Sequence, residues 1–132
     1  MSLRIGGTPT VEAGTDPVVR RVLVIEHEPD AGLGRLFEPL REPRPVNLIE
    51  LAVVRPAAGD RLPVDAEAAG FDAVIVLGGS MASWEDDVAS WLPPTRLLLA
   101  RAVESALPVL GICLGAQLLA LATGGTVRRG HA

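Results

Sequence analysis

The sequence predicts an α/β domain built on an open, doubly wound parallel sheet with helices on both faces. Three observations lead to this prediction. Continuous runs of β-branched and other apolar residues have the length and composition of strands buried on both faces. Segments with apolar residues at helical spacing separate these runs, as the crossovers between parallel strands require. Glycines lie at the ends of the two later runs, where sheets of this class bind their ligands.

The first half of the chain contains two of the predicted strands. Residues 1–19 mix Gly, Thr, Pro and single charges without periodicity, so we expect a flexible N-terminal extension there. The run RVLVIE at 21–26 predicts the first strand, and VNLIELAVV at 46–54 predicts the second. Between them, Asp30 is a suitable N-cap for a short helix over AGLGRLFEPL at 31–40.

The second half alternates strands and helices more regularly. FDAVIVLGGS at 71–80 predicts the third strand, which ends in paired glycines, and a helix over 94–108 follows it. VLGIC at 109–113 predicts the fourth strand, and LGAQLLALA at 114–122 predicts a helix that two glycines end. TVRR at 126–129 resembles the start of a fifth strand. Because the carboxyl ends of parallel strands meet at one end of a sheet, the two glycine-containing loops should lie side by side.

Composition and charge exclude several classes of function. A net charge of −4 and an aromatic content of 3% predict no binding to nucleic acid. Lysine and tyrosine are absent, which excludes a Schiff-base lysine, a P-loop lysine and a tyrosine acid. No apolar run approaches the roughly eighteen residues that span a bilayer, so we expect no membrane association.

The cysteine and histidine content indicates which cellular compartment and which cofactors to expect. Cys113 is the only cysteine, so the chain has no internal disulfide, which fits a reducing, cytoplasmic location. Cys113 and two scattered histidines do not provide the four ligands of a zinc site. We therefore expect neither a metal nor another cofactor.

Cys113 lies in the stretch GICLG, between a predicted strand and a predicted helix. This is the form of a nucleophile elbow, a sharp strand-to-helix turn that presents a nucleophile. Gly111 and Gly115 would lie where the strand and the helix come closest, so side chains there would clash. The turn is expected to force Cys113 into a strained backbone conformation and to expose its side chain. A cysteine that only packs in the core is the competing interpretation.

The surroundings predicted for Cys113 favour a catalytic role. The positive end of the following helix favours a thiolate over a thiol. The backbone N–H of Leu114 would point toward an oxyanion formed on an attacked carbonyl group. The turn at Gly78 and Gly79 is well placed to supply a second backbone donor, since glycine allows close approach of the main chain to a ligand.

The stretch GICLGAQ resembles the G-x-C-x-G-x-Q signature of class I glutamine amidotransferases. The glycine loop VLGGSM is similar to the glycine loop of that family, and VLVIEHEPDAGLGRL resembles the opening of its stand-alone, GMP-synthase-like members. The resemblance extends from residue 21 to the end of the chain and implies a flavodoxin-like domain over 20–132. The family's domain is markedly longer, so the chain resembles its N-terminal part, and we expect the domain to be truncated at its C-terminus.

The resemblance implies an activity and a set of site residues. A cysteine of this family attacks the side-chain amide of glutamine, forms a glutamyl thioester and releases ammonia for a synthetase or another acceptor partner. No synthetase or acceptor domain is evident in the chain. The implied site residues are the nucleophile Cys113, the oxyanion-hole residues Gly79 and Leu114, and the substrate-binding residues Gly78, Gly115 and Gln117.

The general base for this chemistry is not evident in the chain. The resemblance implies a His and a Glu from a loop well downstream of the cysteine, whereas the sequence has 19 residues after Cys113 (132 − 113). We expect His131 to be a solvated end residue and His27, at the rim of the sheet, to cap or hydrogen-bond locally. The alternative for His27 is to line the glutamine pocket, and neither histidine is expected to be the base. The chain alone should therefore hydrolyse glutamine poorly or not at all, and an exposed sheet edge would favour aggregation or a homodimer.

Two other classes of function remain open. Another elbow-cysteine hydrolase of the same superfamily, such as a γ-glutamyl hydrolase or a DJ-1-like protein, would use the same turn. A non-catalytic binding module would use the fold alone. Gln117 favours the amidotransferase, because glutamine at this position belongs to its signature. The acidic loop from Trp84 to Trp91 is either a solvated loop anchored by its tryptophans or a wall of the substrate pocket.

Overall fold

The computed structural model describes residues 2–5, 18–29, 32, 34 and 47–128. Within these residues the chain alternates strands and helices, as the sequence predicts. The elements in chain order are β1 (Ser2–Ile5), β2 (Val18–Ile25), β3 (Asn47–Val54), a 3-10 turn (Pro56–Ala58), β4 (Ala73–Val76), α1 (Leu92–Glu104), β5 (Val109–Gly111) and α2 (Leu114–Ala122). No helix in the described part of the chain is long and apolar enough to cross a membrane.

The sheet has the strand order β1-β3-β2-β4-β5. Strands β3, β2, β4 and β5 run parallel, and β1 pairs antiparallel with β3. From β2 the chain moves to β3 on one side of β2, and it then crosses to β4 on the other side. The strand order therefore reverses between β2 and β4. This is the flavodoxin-like order, and it confirms the predicted sheet. The carboxyl ends of β2, β4 and β5 therefore lie side by side, at the end where such sheets bind ligands.

The start of the chain differs from the expected flexible extension. Ser2–Ile5 pair with Ile49–Ala52 of β3, and β2 begins at Val18. A strand of four residues is too short to show a clear alternation of apolar and polar residues, which is why the sequence does not indicate β1. Residues 6–17 lie outside the described part, so the domain boundary near residue 19 stays a prediction.

The later strands are shorter than expected, because the chain leaves the sheet before the two glycine-containing turns. β4 ends at Val76, two residues before Gly78, and β5 ends at Gly111, two residues before Cys113. Two predicted elements are not seen as such. Residues 126–128 do not form a strand, and the helix predicted over 31–40 lies outside the described residues except for positions 32 and 34.

Two hydrophobic clusters cover the two faces of the sheet. Side chains alternate along β2, so Leu23 and Ile25 belong to one cluster and Val22 and Val24 to the other. Both described helices pack on the first face. They contribute the fully buried leucines Leu92, Leu98, Leu99 and Leu118. Burial of each such side chain stabilises the fold by about 1.5–3 kcal/mol, and this packing fixes α2 against the ends of β4 and β5.

Candidate active site

Cys113 lies between β5 and α2, and its side chain is exposed. Its backbone has φ 53° and ψ −113°, a conformation that residues with a Cβ rarely adopt. Two main-chain hydrogen bonds hold this turn. The Gln117 N–H donates to the Cys113 carbonyl oxygen at 3.1 Å, and the Gly115 N–H donates to the Ile112 carbonyl oxygen at 2.9 Å. The predicted strain and exposure at Cys113 are confirmed. Such a conformation costs about 1–3 kcal/mol.

Gly111 and Gly115 leave room for the turn. A Cβ on Gly111 would lie 2.7 Å from the Gly115 carbonyl oxygen, and a Cβ on Gly115 would lie 2.1 Å from the Val76 carbonyl oxygen. Because backbone atoms fill both places, only glycine lets α2 pack this closely onto β4 and β5. This confirms the steric reason predicted for both glycines. Gly115 is buried, and its contact with substrate stays a prediction.

The turn at Gly78 and Gly79 that follows β4, called the glycine turn below, packs directly against the turn at Cys113, called the cysteine turn. A Cβ on Gly78 would lie 3.5 Å from the Cys113 Cβ, and a Cβ on Gly79 would lie 2.9 Å from the Leu114 Cδ2. Within the described part of the chain, the backbone N–H groups of Gly79 and Leu114 donate to no acceptor. The structure thus brings together the two residues predicted to form an oxyanion hole, and the backbone N–H of each has no acceptor among the described residues.

Gln117 lies one helical turn beyond Cys113. It is exposed, and its spacing of four residues places it on the same side of α2 as the cysteine. The amide side chain is therefore accessible near the thiol, and its role in binding substrate stays a prediction.

The loop after β2 brings a buried histidine to the same end of the sheet. His27 is 1% exposed, and its Nδ1 accepts a hydrogen bond from the Trp91 Nε1 at 2.9 Å. Burial lowers the pKa of His27 below its ordinary value, and the neighbouring Glu28 carboxylate partly offsets this effect. The Nε2 of His27 has no partner in the described part of the chain. His27 thus forms a hydrogen bond at the expected end of the sheet, but its partner lies 64 positions along the chain and not in the same loop, so the bond is not local.

The stability of the chain should depend on pH through His27. Burial lowers the pKa of His27 in the folded state, so the unfolded chain takes up a proton first as pH falls through about 6.5, the ordinary histidine value. The free energy of unfolding should then fall by at most about 1.4 kcal/mol per pH unit, until the lowered folded pKa is reached. Urea denaturation between pH 7 and 5 measures this slope. His27→Gln keeps an acceptor for Trp91 without titrating, and an unchanged slope in this variant would contradict the assignment.

Two sets of side-chain hydrogen bonds, one made by Glu28 and one by Arg96, hold the loops around the glycine turn. The Glu28 Oε1 accepts hydrogen bonds from the Ser80 N–H at 2.9 Å and from the Ser80 hydroxyl. Arg96 of α1 makes two bonds of 2.8 Å to the Asp86 carboxylate and donates to the Ser83 carbonyl oxygen at 3.0 Å. Hydrogen bonding from Arg96 lowers the pKa of Asp86. Neither set could be predicted from the sequence, because side-chain pairing between different elements leaves no local pattern.

The two tryptophans of the acidic loop differ in their environment. Trp91 packs against the core cluster and reaches His27 with its indole nitrogen. Trp84 is 45% exposed. The predicted anchoring of the loop to the core is therefore confirmed for Trp91 and wrong for Trp84.

A small pocket lies beside the carboxyl ends of β2 and β3, and Cys113 does not line it. The pocket has a volume of about 210 Å³. At its wall, Arg55 and Glu26 form an ion pair with 3.1 Å between Nε and Oε1. The lining residues are Glu26, His27, Glu28, Pro29, Arg55, Ala57 and Ala58. The free backbone donors and the exposed thiol lie instead at the ends of β4 and β5, which makes that region the candidate active site.

Comparison with known families decides the assignment. Residues 44–132 match the family model of glutamine amidotransferase class-I, and this range includes both the glycine turn and the cysteine turn. The chain belongs to the class I glutamine amidotransferase family. The resemblance seen in GICLGAQ and VLGGSM is therefore confirmed at the level of the family.

Individual relatives agree with the family model. Over 57 residues the chain is 47% identical to the glutamine-hydrolyzing GMP synthase of Rhodopseudomonas palustris. The aligned segment covers 43% of the chain and 9% of that protein. A glutamine amidotransferase structure from Thermotoga maritima matches 80% of the chain and 43% of its own length, at 27% identity and a TM-score of 0.65. One from Methylobacillus flagellatus matches 81% and 40%, at 31% identity and a TM-score of 0.67. The chain thus spans less than half the length of either solved relative.

Proposed function

We propose that this chain carries the nucleophile and the oxyanion hole of a glutamine-hydrolysing site, with Cys113 as the nucleophile. The observation that carries the proposal is the position of Cys113, which is exposed, held at φ 53° before α2, and packed against the turn at Gly78. An exposed cysteine contributes little to the core, so packing does not account for a residue kept in a strained conformation. Membership of the family supports glutamine as the substrate.

The proposed reaction has two covalent steps. The Cys113 thiolate attacks the carbon of the glutamine side-chain amide, and the electron pair of the C=O bond moves to the oxygen. The N–H groups of Gly79 and Leu114 donate to this oxyanion, and loss of one such donor costs about 10²–10³-fold in rate. The C–N bond then breaks, and the nitrogen takes up a proton and leaves as ammonia, with a γ-glutamyl thioester on Cys113. Water attacks the thioester carbon, the thiolate leaves, and glutamate is released.

The glutamine substrate would lie between the two turns. Gly78, whose missing side chain opens the space in front of Cys113, and the exposed Gln117 would contact it directly. Gly115 would contribute by letting α2 approach β4, so that Cys113 and Leu114 face the glycine turn. The GMP synthase relative is described as glutamine-hydrolyzing, and we infer that ammonia from this site passes to a synthetase or another acceptor partner.

We expect the chain alone to release ammonia from glutamine about 10²–10⁴-fold more slowly than a full-length relative, which is the usual contribution of general acid–base catalysis. His27 is the one histidine of the described residues, and its Nδ1 is already bonded to Trp91. We therefore expect no histidine of the described residues to make the proton transfers, and His131 lies outside those residues. An assay coupled to glutamate dehydrogenase measures the release. Turnover close to that of full-length relatives, abolished by Cys113→Ala, would contradict this expectation.

Covalent labelling tests the proposed function. The chain is treated with a diazo-ketone analogue of glutamine, and its peptides are mapped by mass spectrometry. We expect modification at Cys113 that L-glutamine slows and D-glutamine does not. Modification without protection by L-glutamine would favour another elbow-cysteine hydrolase. No modification of the folded chain would favour a non-catalytic binding module.

A further inference from the structure

The loop after β2 contacts the glycine turn directly. β2 and β4 are neighbours in the sheet, and the Leu77 N–H continues their pairing by donating to the Ile25 carbonyl oxygen at 3.0 Å. Two residues further along, a Cβ on Gly79 would lie 3.3 Å from the His27 Cβ. The turn that faces Cys113 therefore rests on the β2 loop as well as on the cysteine turn.

Glu28 holds the far end of this turn. Its Oε1 accepts from the Ser80 N–H at 2.9 Å and also from the Ser80 hydroxyl. These bonds lower the pKa of the Glu28 carboxyl, and the charge of neighbouring His27 acts in the same direction. Two donors of one residue thus converge on a single charged oxygen, which is a stronger restraint than one neutral hydrogen bond.

The glycine turn needs such a restraint because glycine has the widest choice of backbone angles. Two consecutive glycines, Gly78 and Gly79, can rotate their shared peptide group with little steric resistance. The Leu77 bond holds the chain before them, and Glu28 holds it after them at Ser80. Release of one end would leave the Gly79 N–H free to turn away from Cys113.

We propose that Glu28 is a positioning residue that keeps the Gly79 N–H directed at the carbonyl oxygen attacked by Cys113. It acts through Ser80 and does not touch the substrate. This inference rests on the proposed function, since it assigns Glu28 a role in the same oxyanion hole. It predicts that loss of the acceptor oxygen of Glu28 slows acyl transfer to Cys113 and leaves the intrinsic reactivity of the thiol unchanged.

The test compares two reactions of the same thiol. A 4-nitrophenyl γ-ester of L-glutamate acylates Cys113 through an oxyanion, whereas iodoacetamide alkylates it without one. We expect Glu28→Ala to slow acylation about 10-fold or more, in line with the effect of disturbing one oxyanion-hole donor, while alkylation changes less than about 3-fold. Glu28→Gln keeps an acceptor oxygen of the same shape and should recover most of the rate.

Glu85→Ala is the matched control. Its carboxylate also accepts a backbone hydrogen bond in this region, from the Ala82 N–H at 2.6 Å, but among the described hydrogen bonds it has none to the glycine turn. We expect wild-type acylation in this variant. If Glu28→Ala does not fold, Ser80→Ala removes the hydroxyl donor alone and should slow acylation about 3-fold, the size of one weak hydrogen bond.

Three outcomes would overturn the positioning role. Acylation could be unchanged in both Glu28→Ala and Ser80→Ala, it could fall in parallel with alkylation, or Glu85→Ala could slow it equally. A wild-type chain that iodoacetamide alkylates but the ester does not acylate would overturn the proposed function itself, and the role of Glu28 with it. If the ester acylates the wild type normally and only the predictions for the variants fail, the positioning role of Glu28 is wrong and the proposed function stands.

Discussion

Cys113→Ala is expected to abolish every covalent reaction with glutamine analogues, because the chain has no other thiol. Intact-mass measurement after treatment with the diazo-ketone should show no adduct in this variant. The fold should persist, since the side chain of Cys113 is exposed. A variant that is still modified to the wild-type extent would show that another group is the nucleophile.

The same position should show a trade-off between stability and function. Glycine tolerates φ 53° without the penalty that a Cβ brings, so Cys113→Gly should be more stable than Cys113→Ala by about 1 kcal/mol. Paired urea denaturation curves of the two variants measure the difference. Equal stabilities would mean that the turn stores no strain at Cys113.

Gly115→Ala is expected to have the largest effect on folding. The new Cβ would lie 2.1 Å from the Val76 carbonyl oxygen and 2.6 Å from its carbonyl carbon, and neither backbone atom can rotate away. The helix α2 would have to move off β4, so we expect a loss of about 3 kcal/mol or more, and a drop in the melting midpoint of about 10 °C or more.

Gly78→Ala is the matched control for this prediction. It places the same methyl group beside the same site, but at 3.5 Å from the Cys113 Cβ, which is ordinary van der Waals contact. We expect its stability to stay within about 1 kcal/mol of the wild type, while its acylation slows because the methyl group enters the space in front of the thiol. Equal destabilisation by the two substitutions would show that the approach of α2 to β4 is not what requires glycine at 115.

The elements that follow from local patterns could be predicted from the sequence. The apolar runs gave β2, β3 and β4, and the stretch LGAQLLALA gave α2 with the bounds observed, Leu114–Ala122. The strained turn at Cys113 followed from its flanking glycines, since their spacing limits how a strand and a helix can meet. β1 could not be predicted, because its pairing with β3 depends on residues almost fifty positions away.

The supports of the candidate site could not be predicted in the same way. Glu28 and Ser80 are 52 positions apart, and His27 and Trp91 are 64 apart. Nothing in the spacing of these residues indicates that they meet. They come together only because the strand order places β2 beside β4, so that the loops after the two strands share one end of the sheet. His27 was expected at this end, but its buried bond to Trp91 depends on the path of the acidic loop.

The central claim is that Cys113 accepts an acyl group from a γ-glutamyl substrate. A stopped-flow burst with the 4-nitrophenyl γ-ester of L-glutamate tests it most directly, because nitrophenolate leaves without the proton that ammonia needs. We expect a burst approaching one nitrophenolate per chain, a glutamyl thioester on the Cys113 peptide, and neither in Cys113→Ala. A folded chain without a burst, or a burst of the same size in Cys113→Ala, would contradict it.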